Sequence, residues 1–217
     1  MTKQIPLDLA VTPDHSFESF VQSFSNTSAL SLVKGHKNWP APILLLLGPN
    51  GSGKTHLGQA WATSVGADVI TTPQQIDDCS QYAFIDDADK FSALALFNLI
   101  NKALAGEITA LLLTSSHAPR NWPHSLADLS SRLKNVPTAW LDEADEALIT
   151  AIIRNLFEDA GRSVQQGLVE YIAVRCERSV PALRKIVMYL ESQARADKVD
   201  LTKAYAARVL NRQESLL

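Results

Sequence analysis

Gly48-Pro49-Asn50-Gly51-Ser52-Gly53-Lys54-Thr55 is the stretch whose reading decides the fold. It has the form G-x-x-x-x-G-K-[ST]. It lies between a continuous apolar run, Ile43-Leu44-Leu45-Leu46-Leu47, and a helix-like segment, Leu57 to Val65. Strand, glycine-rich turn and helix, in that order, are what a phosphate-binding loop requires. The glycines let backbone N–H groups turn inward around phosphate oxygens. The start of the following helix adds the positive end of its dipole. Lys54 brings a point charge to the β- and γ-phosphates, and the Thr55 hydroxyl can ligate Mg²⁺. Gly48 through Thr55 are thus the candidate nucleotide-binding residues, with ATP or ADP and Mg²⁺ as ligands. The alternative for the same residues is a purely structural glycine-rich turn.

Downstream, Tyr82-Ala83-Phe84-Ile85 is a second apolar strand, and it ends in Asp86-Asp87. Carboxylates often end strands, so the pattern gains meaning only from the phosphate loop before it. In that company Asp86 is the candidate Mg²⁺ holder, directly or through water, and Asp87 the residue that orients attacking water. Asp89 reads as a solvated residue at a helix start. Further strands are expected at Asp68–Ile70, Ile108–Thr114 and Val136–Leu141, with a helix at Phe91–Leu104. Runs that are apolar at every position mark strands buried on both faces of a parallel sheet. Strands alternating with helices make the fold class α/β.

From Asp142 onward nothing reads as a strand. Glu143–Asp159, with Ala147, Leu148, Ala151, Ile152 and Leu156 on one face, is followed by helices at Val164–Val174, Ser179–Ala194 and Leu201–Leu210. Ser179 suits an N-cap, and Pro181 is tolerated in the first turn. The expected organisation is an extended tail over 1–14, a nucleotide-binding core over 15–141 and a small helical domain over 142–217.

Composition narrows the function. The 217 residues are 46% hydrophobic and carry 20 Lys+Arg against 23 Asp+Glu, a net charge of -3. A general nucleic-acid binder would show a basic excess. No apolar run approaches the roughly 18–20 residues needed to span a bilayer, and no secretory signal is visible. Two isolated cysteines, Cys79 and Cys176, fit a reducing cytoplasm rather than a disulfide scaffold or zinc site.

The order of phosphate loop, Asp-Asp strand, polar strand end and helical lid resembles the AAA+ ATPases. More narrowly, the chain is similar to the DnaA/Hda family: the AAA+ region of the DnaA replication initiators and, closer, the short Hda group that inactivates DnaA. The residues that carry the likeness are Gly51-Ser52-Gly53-Lys54-Thr55-His56-Leu57, Phe84-Ile85-Asp86-Asp87 and Ala127-Asp128-Leu129-Ser130-Ser131-Arg132-Leu133. Weaker matches are Ser16-Phe17-Glu18-Ser19-Phe20 and Leu201-Thr202-Lys203-Ala204.

This resemblance implies roles that the residues alone do not. Arg132 occupies the arginine-finger position, which reaches a nucleotide held by a neighbouring subunit. His56 belongs to the nucleotide-binding stretch and is read as packing behind the loop. Pro181 stands where the lid helix usually carries a sensor 2 arginine; Arg184, one turn later, is the candidate substitute, with Arg178 another. The polar stretch Thr114-Ser115-Ser116-His117 corresponds to the sensor 1 region, with His117 read as a loop residue. Gln4-Ile5-Pro6-Leu7-Asp8-Leu9 is similar to the sliding-clamp-binding peptide of Hda: Gln4 would hydrogen-bond at the pocket, and Ile5, Leu7 and Leu9 supply apolar contacts that Pro6 preorganises. Lys54 and Asp86 are only 32 positions apart, leaving little room for the initiator's single-strand-binding helix, and the chain ends where its DNA-binding domain would begin.

The implied function is a cytoplasmic, nucleotide-binding regulator of replication initiation. Its partners would be DnaA and the sliding clamp, with no direct nucleic-acid contact, no membrane, weak intrinsic ATPase activity and possible homodimerisation. The alternatives are a DnaA-like or clamp-loader-like ATPase using its own turnover, and a nucleotide-locked interaction adaptor.

Overall fold

The strand that feeds the phosphate loop, β1 (Ile43–Leu47), is buried at every position, as its uninterrupted apolar sequence demands. It sits inside a five-stranded, all-parallel sheet with β2 (Asp68–Val69), β3 (Tyr82–Ile85), β4 (Ala110–Ser115) and β5 (Thr138–Trp140), in the spatial order β2-β3-β4-β1-β5. The computed structural model describes residues 15–123 and 127–214. The proposed clamp-binding residues Gln4 to Leu9 therefore lie outside the described residues.

Alternate residues of each strand feed two separate apolar layers, because successive side chains point to opposite faces. Ile43, Leu45, Leu47, Ala83, Ile85, Leu111 and Leu113 pack with α3 (Ala93–Leu104) and α4 (Ala127–Leu133). Leu44, Leu46, Phe84, Leu112 and Ala139 pack on the other face with α1 (Thr27–Lys34) and α2 (Lys54–Val65). The α/β class expected from sequence is the observed one. Helix α1 is an element the sequence reading did not anticipate.

The remaining helices, α5 (Glu146–Asp159), α6 (Gln166–Arg175), α7 (Val180–Asp197) and α8 (Lys203–Glu214), surround an apolar cluster of their own. Asp145 caps α5 by accepting from the Leu148 N–H at 2.6 Å, and Ser179 caps α7 by accepting from Ala182 N–H at 3.4 Å. The face that α5 buries differs from the expected one. Leu148, Ile149, Ile153, Leu156 and Phe157 are buried, whereas Ala147 is exposed. Packing against both α6 and α7 rotates the buried stripe toward the bulkier side chains.

Helix α2 and β3 meet with no space to spare. A Cβ placed on Gly58 would lie 2.3 Å from Cζ of Phe84, which is itself fully buried. Gly58→Ala is therefore expected to destabilise the protein in urea unfolding. A clash this close sits at the upper end of the roughly 1–3 kcal/mol that overpacking costs, and so exceeds the ~1 kcal/mol of helix propensity gained. A stabilised variant would show that this helix–sheet contact is not tight.

Candidate nucleotide-binding site

The loop between β1 and α2 takes its shape from glycine. Gly51 has φ 78° and Gly53 φ 96°, a left-handed region costly to residues with a Cβ. Gly53 is also the N-cap of α2, so the helix starts at Lys54, three residues earlier than its apolar spacing suggested. The first N–H groups of a helix have no intrahelical acceptor, which suits a bound anion.

Lys54 is only 6% exposed, and its ammonium donates to the carbonyls of Gly48 and Pro49 at 2.8 Å each. Burial pushes it below the ordinary lysine value, while the charges of Asp87, Asp86 and Asp89 pull it back up. The Ser52 hydroxyl oxygen is buried in the same loop without a hydrogen-bond partner among the described residues.

The end of β4 and the first turn of α2 converge on Asp86, just past the end of β3. The Thr55 hydroxyl donates to one of its carboxylate oxygens at 2.8 Å, and the Thr114 hydroxyl donates to the other at 2.5 Å. Thr114 Oγ1 also accepts from the backbone N–H of Asp87 at 2.9 Å. Asp87 itself is held at φ 49°, ψ 51°, a left-handed conformation that costs a non-glycine residue about 1 kcal/mol. Its carboxylate pairs with Lys90 at 2.7 Å.

The donor set fits a magnesium nucleotide. A hydroxyl and a carboxylate within hydrogen-bond reach, both hard oxygen ligands, can hold Mg²⁺ between them. The glycine loop and Lys54 can take the phosphates, and Ser52 offers an unused polar atom. Bound there, Mg²⁺ would supply charge neutralisation for phosphoryl transfer. Among the described residues there is no cluster of three or more His, Cys, Asp or Glu side chains able to hold a metal without such a ligand.

The structure places the other expected residues variously. His56 lies behind the loop: its Nε2 is 3.1 Å from both the Ser16 carbonyl and the Ser19 hydroxyl, and its ring meets those of His15 and Phe20 edge-on. Asn50 accepts from the Ser116 hydroxyl at 2.8 Å, tying the loop to the segment after β4. The α7 N-cap abuts the loop, since a Cβ on Gly51 would lie 2.7 Å from Cβ of Ser179. Arg178 precedes that cap and is exposed; Arg184 is half-buried on α7. Arg132 is exposed on α4, which packs on the face of the sheet opposite α2, with its guanidinium 5.3 Å from the Phe97 ring centroid.

One expectation is corrected. Asp89 is not a solvated helix-start residue. Its side chain is 7% exposed and lies 3.1 Å from His117 Nδ1. The 28-residue separation hides this pair in the sequence, and β3–β4 pairing creates it. Thr114 was visible only as part of a polar strand end; that both Thr114 and Ser115 are fully buried is what marks them.

No family model matches the chain. In sequence it is 25% identical over 244 residues to the replication initiator DnaA of Bacteroides fragilis, covering 95% of this chain and 50% of the relative. It is 23% identical over 230 residues to an uncharacterised protein of Haemophilus influenzae, covering 97% and 100% of the two chains. The chain thus spans about half the length of the DnaA relatives it matches. In structure it is similar to domain III of Thermotoga maritima DnaA, with a TM-score of 0.78 at 18% identity over 93% of this chain and 97% of that one. AMPPCP-bound DnaA from Aquifex aeolicus gives a TM-score of 0.73 at 16% identity, over 95% and 71% of the two chains. The fold is that of domain III of DnaA. No helix among the described residues is long and apolar enough to cross a membrane.

If Asp86 holds the metal, Asp86→Asn should weaken the Mg²⁺-dependent part of ADP and ATP affinity by about 10- to 100-fold, while binding measured in EDTA changes little. Calorimetric titration with and without Mg²⁺ reads this directly. An unchanged Mg²⁺ dependence would remove Asp86 from the metal position.

Proposed function

We propose that this chain is a nucleotide-binding AAA+ regulator of chromosomal replication initiation that stimulates hydrolysis of ATP bound to DnaA. The observation that carries the proposal is the separation of two parts. Lys54, Thr55 and Asp86 lie together where this chain's own ATP or ADP with Mg²⁺ would sit. Arg132 faces solvent on α4, on the sheet face opposite α2, with no carboxylate in ion-pair range among the described residues. An exposed guanidinium resting on an aromatic ring is spared for a neighbouring molecule, where it can stabilise charge developing on the γ-phosphate. The curated DnaA relatives supply the replication context, and their sequence similarity spans nearly the whole chain.

Residues Gln4, Ile5, Pro6, Leu7 and Leu9 would dock on the sliding clamp, bringing Arg132 to DnaA near newly copied DNA. The near-neutral charge suits a protein that reaches DNA through a partner rather than by phosphate contacts. The tail over 1–14, the core over 15–141 and the lid over 142–217 then divide the work into tethering, nucleotide binding and closure over the nucleotide by Ser179, Arg178 or Arg184. Self-association through the same finger surface follows the same logic.

A second reading, a DnaA-like or clamp-loader-like ATPase acting by its own turnover, is favoured by the Asp86-Asp87 pair that this chain itself carries. Fast hydrolysis by the isolated protein would select it. A nucleotide-locked adaptor would neither hydrolyse nor stimulate.

Two outcomes test the regulatory proposal. Arg132→Ala should keep ADP affinity and lose about a thousandfold of any stimulated rate of DnaA–ATP hydrolysis; full stimulation by the variant rules out the finger role. Deletion of residues 1–9 should abolish pull-down by DNA-loaded clamp, and undiminished capture would place clamp docking elsewhere or nowhere.

A further inference from the structure

The turn after β3 carries a third carboxylate, Asp89, that neither the phosphate loop nor the metal position uses. We propose that His117 is a positioning residue which, through Asp89, holds the Asp86–Lys90 turn in the shape that presents the Asp87 carboxylate to the reacting phosphate. This rests on the nucleotide-binding reading of the loop and on no partner protein.

The geometry has three parts. First, Asp89 is fixed from one side only. One carboxylate oxygen lies 3.1 Å from His117 Nδ1, and the other is buried without a hydrogen-bond partner among the described residues. The contact is a hydrogen bond when Nδ1 carries the proton and the carboxylate oxygen accepts it.

Second, His117 is itself anchored. Its N–H donates to Ser115 Oγ at 3.0 Å, and its carbonyl accepts from Ser115 Oγ at 2.8 Å and from the Trp122 indole N–H at 2.7 Å. Trp122 is buried in the apolar layer under α4. The adjacent Ser116 donates to Asn50 of the phosphate loop. The segment after β4 therefore grips the loop with one residue and the carboxylate turn with the next.

Third, the turn needs holding. Asp87 has a left-handed backbone, and such residues persist when the surroundings over-determine them. Thr114 fixes the Asp87 N–H, the Lys90 N–H donates to the Asp87 carbonyl at 2.8 Å, and the Asp89–His117 contact pins the far end of the same turn. Without the last contact, Asp89 would become a buried carboxylate with no partner and would be drawn toward solvent. Asp87, two residues earlier, would be carried with it. His117 touches no phosphate in this scheme; it acts on the position of Asp87 alone.

The test compares binding of Mg²⁺–ADP with binding of Mg²⁺–ADP plus aluminium fluoride, a mimic of the transferring phosphoryl group. Wild-type protein should bind the fluoride complex more tightly. His117→Ala should reduce that gain about tenfold while Mg²⁺–ADP affinity stays within about twofold, because Lys54 and Thr55 are untouched. His117→Asn, whose amide nitrogen can stand where Nδ1 does, should restore the gain. The double variant His117→Ala with Asp89→Ala should lose no more than His117→Ala alone, since the two residues act as one unit. An unchanged gain in His117→Ala, a parallel loss of Mg²⁺–ADP affinity, failure of His117→Asn to restore the gain, or a wild-type protein that gains nothing from fluoride overturns the inference. Absence of Mg²⁺–ADP binding by the wild-type chain overturns the nucleotide reading and the inference together. Failure to stimulate DnaA touches neither measurement.

Discussion

The insertion of β4 between β1 and β3 is the constraint on which the site depends. Adjacent strands lie about 4.8 Å apart, so the two strands that carry the phosphate loop and the acidic pair are held roughly 10 Å apart. The chain spans that gap with side chains from the intervening strand. Thr114, at the end of β4, reaches Asp86 with its hydroxyl while the same oxygen accepts from Asp87, and Thr55 reaches Asp86 from the loop side. The carboxyl ends of an open parallel sheet are where ligands bind in such folds. Here strand order keeps the backbones of the two walls apart, and the Thr55 and Thr114 hydroxyls meet Asp86 across the gap.

What could be read in the sequence followed from local regularity. Ile43–Leu47 and Tyr82–Ile85 are apolar at every position, and both proved to be interior strands. The glycine spacing in the phosphate loop needs no tertiary information, since backbone conformation and residue type are matched within eight residues. The α7 cap at Ser179 was legible for the same reason. Helix α1 was not, because it is short and follows a polar stretch, and its burial comes from a sheet face assembled later in the chain. The pairing of Asp89 with His117 was illegible in principle. An acid four residues past a strand end reads as solvated until the neighbouring strand is known, and the segment after β4 brings His117 beside it only through the register of β4 with β3. His56 is the intermediate case. Packing behind the loop was expected, but its partners, Ser16 and Ser19, are about 40 residues away in the chain.

The segment before α1 joins the sheet layers to the helical cluster. Phe20 is buried in the layer beneath α1 and α2, while the next residue, Val21, packs against the cluster of α5 to α8. The Asp142 N–H donates to the Ser25 carbonyl at 3.4 Å, and the Asp145 carboxyl is held below its usual range chiefly by the Leu148 N–H, with Ser25 and Ser23 adding to it. Together with the Ser179–Gly51 contact, this gives the helical cluster two footholds, one on the N-terminal segment and one on the phosphate loop. A change in loop shape therefore meets α7 at its cap, where the helix dipole is most exposed to nearby charge.

Charge balance closes the argument about ligand and finger. Lys54 is influenced by three carboxylates, Asp86, Asp87 and Asp89, and Lys90 is already paired with Asp87. A nucleotide triphosphate brought to such a cluster adds anions to anions, so a divalent cation between Asp86 and the phosphates would strengthen binding by offsetting that repulsion. Even then the site holds little positive charge for the γ-phosphate as its bond breaks. At the α7 position where the DnaA/Hda resemblance calls for an arginine the chain has Pro181, and Arg184 is partly buried a turn further on. A site built this way suits retention of a nucleotide better than rapid hydrolysis of it. Under the proposed regulatory reading, the exposed guanidinium of Arg132 would serve a phosphate held by another molecule, supplying there the charge that this chain's own site lacks.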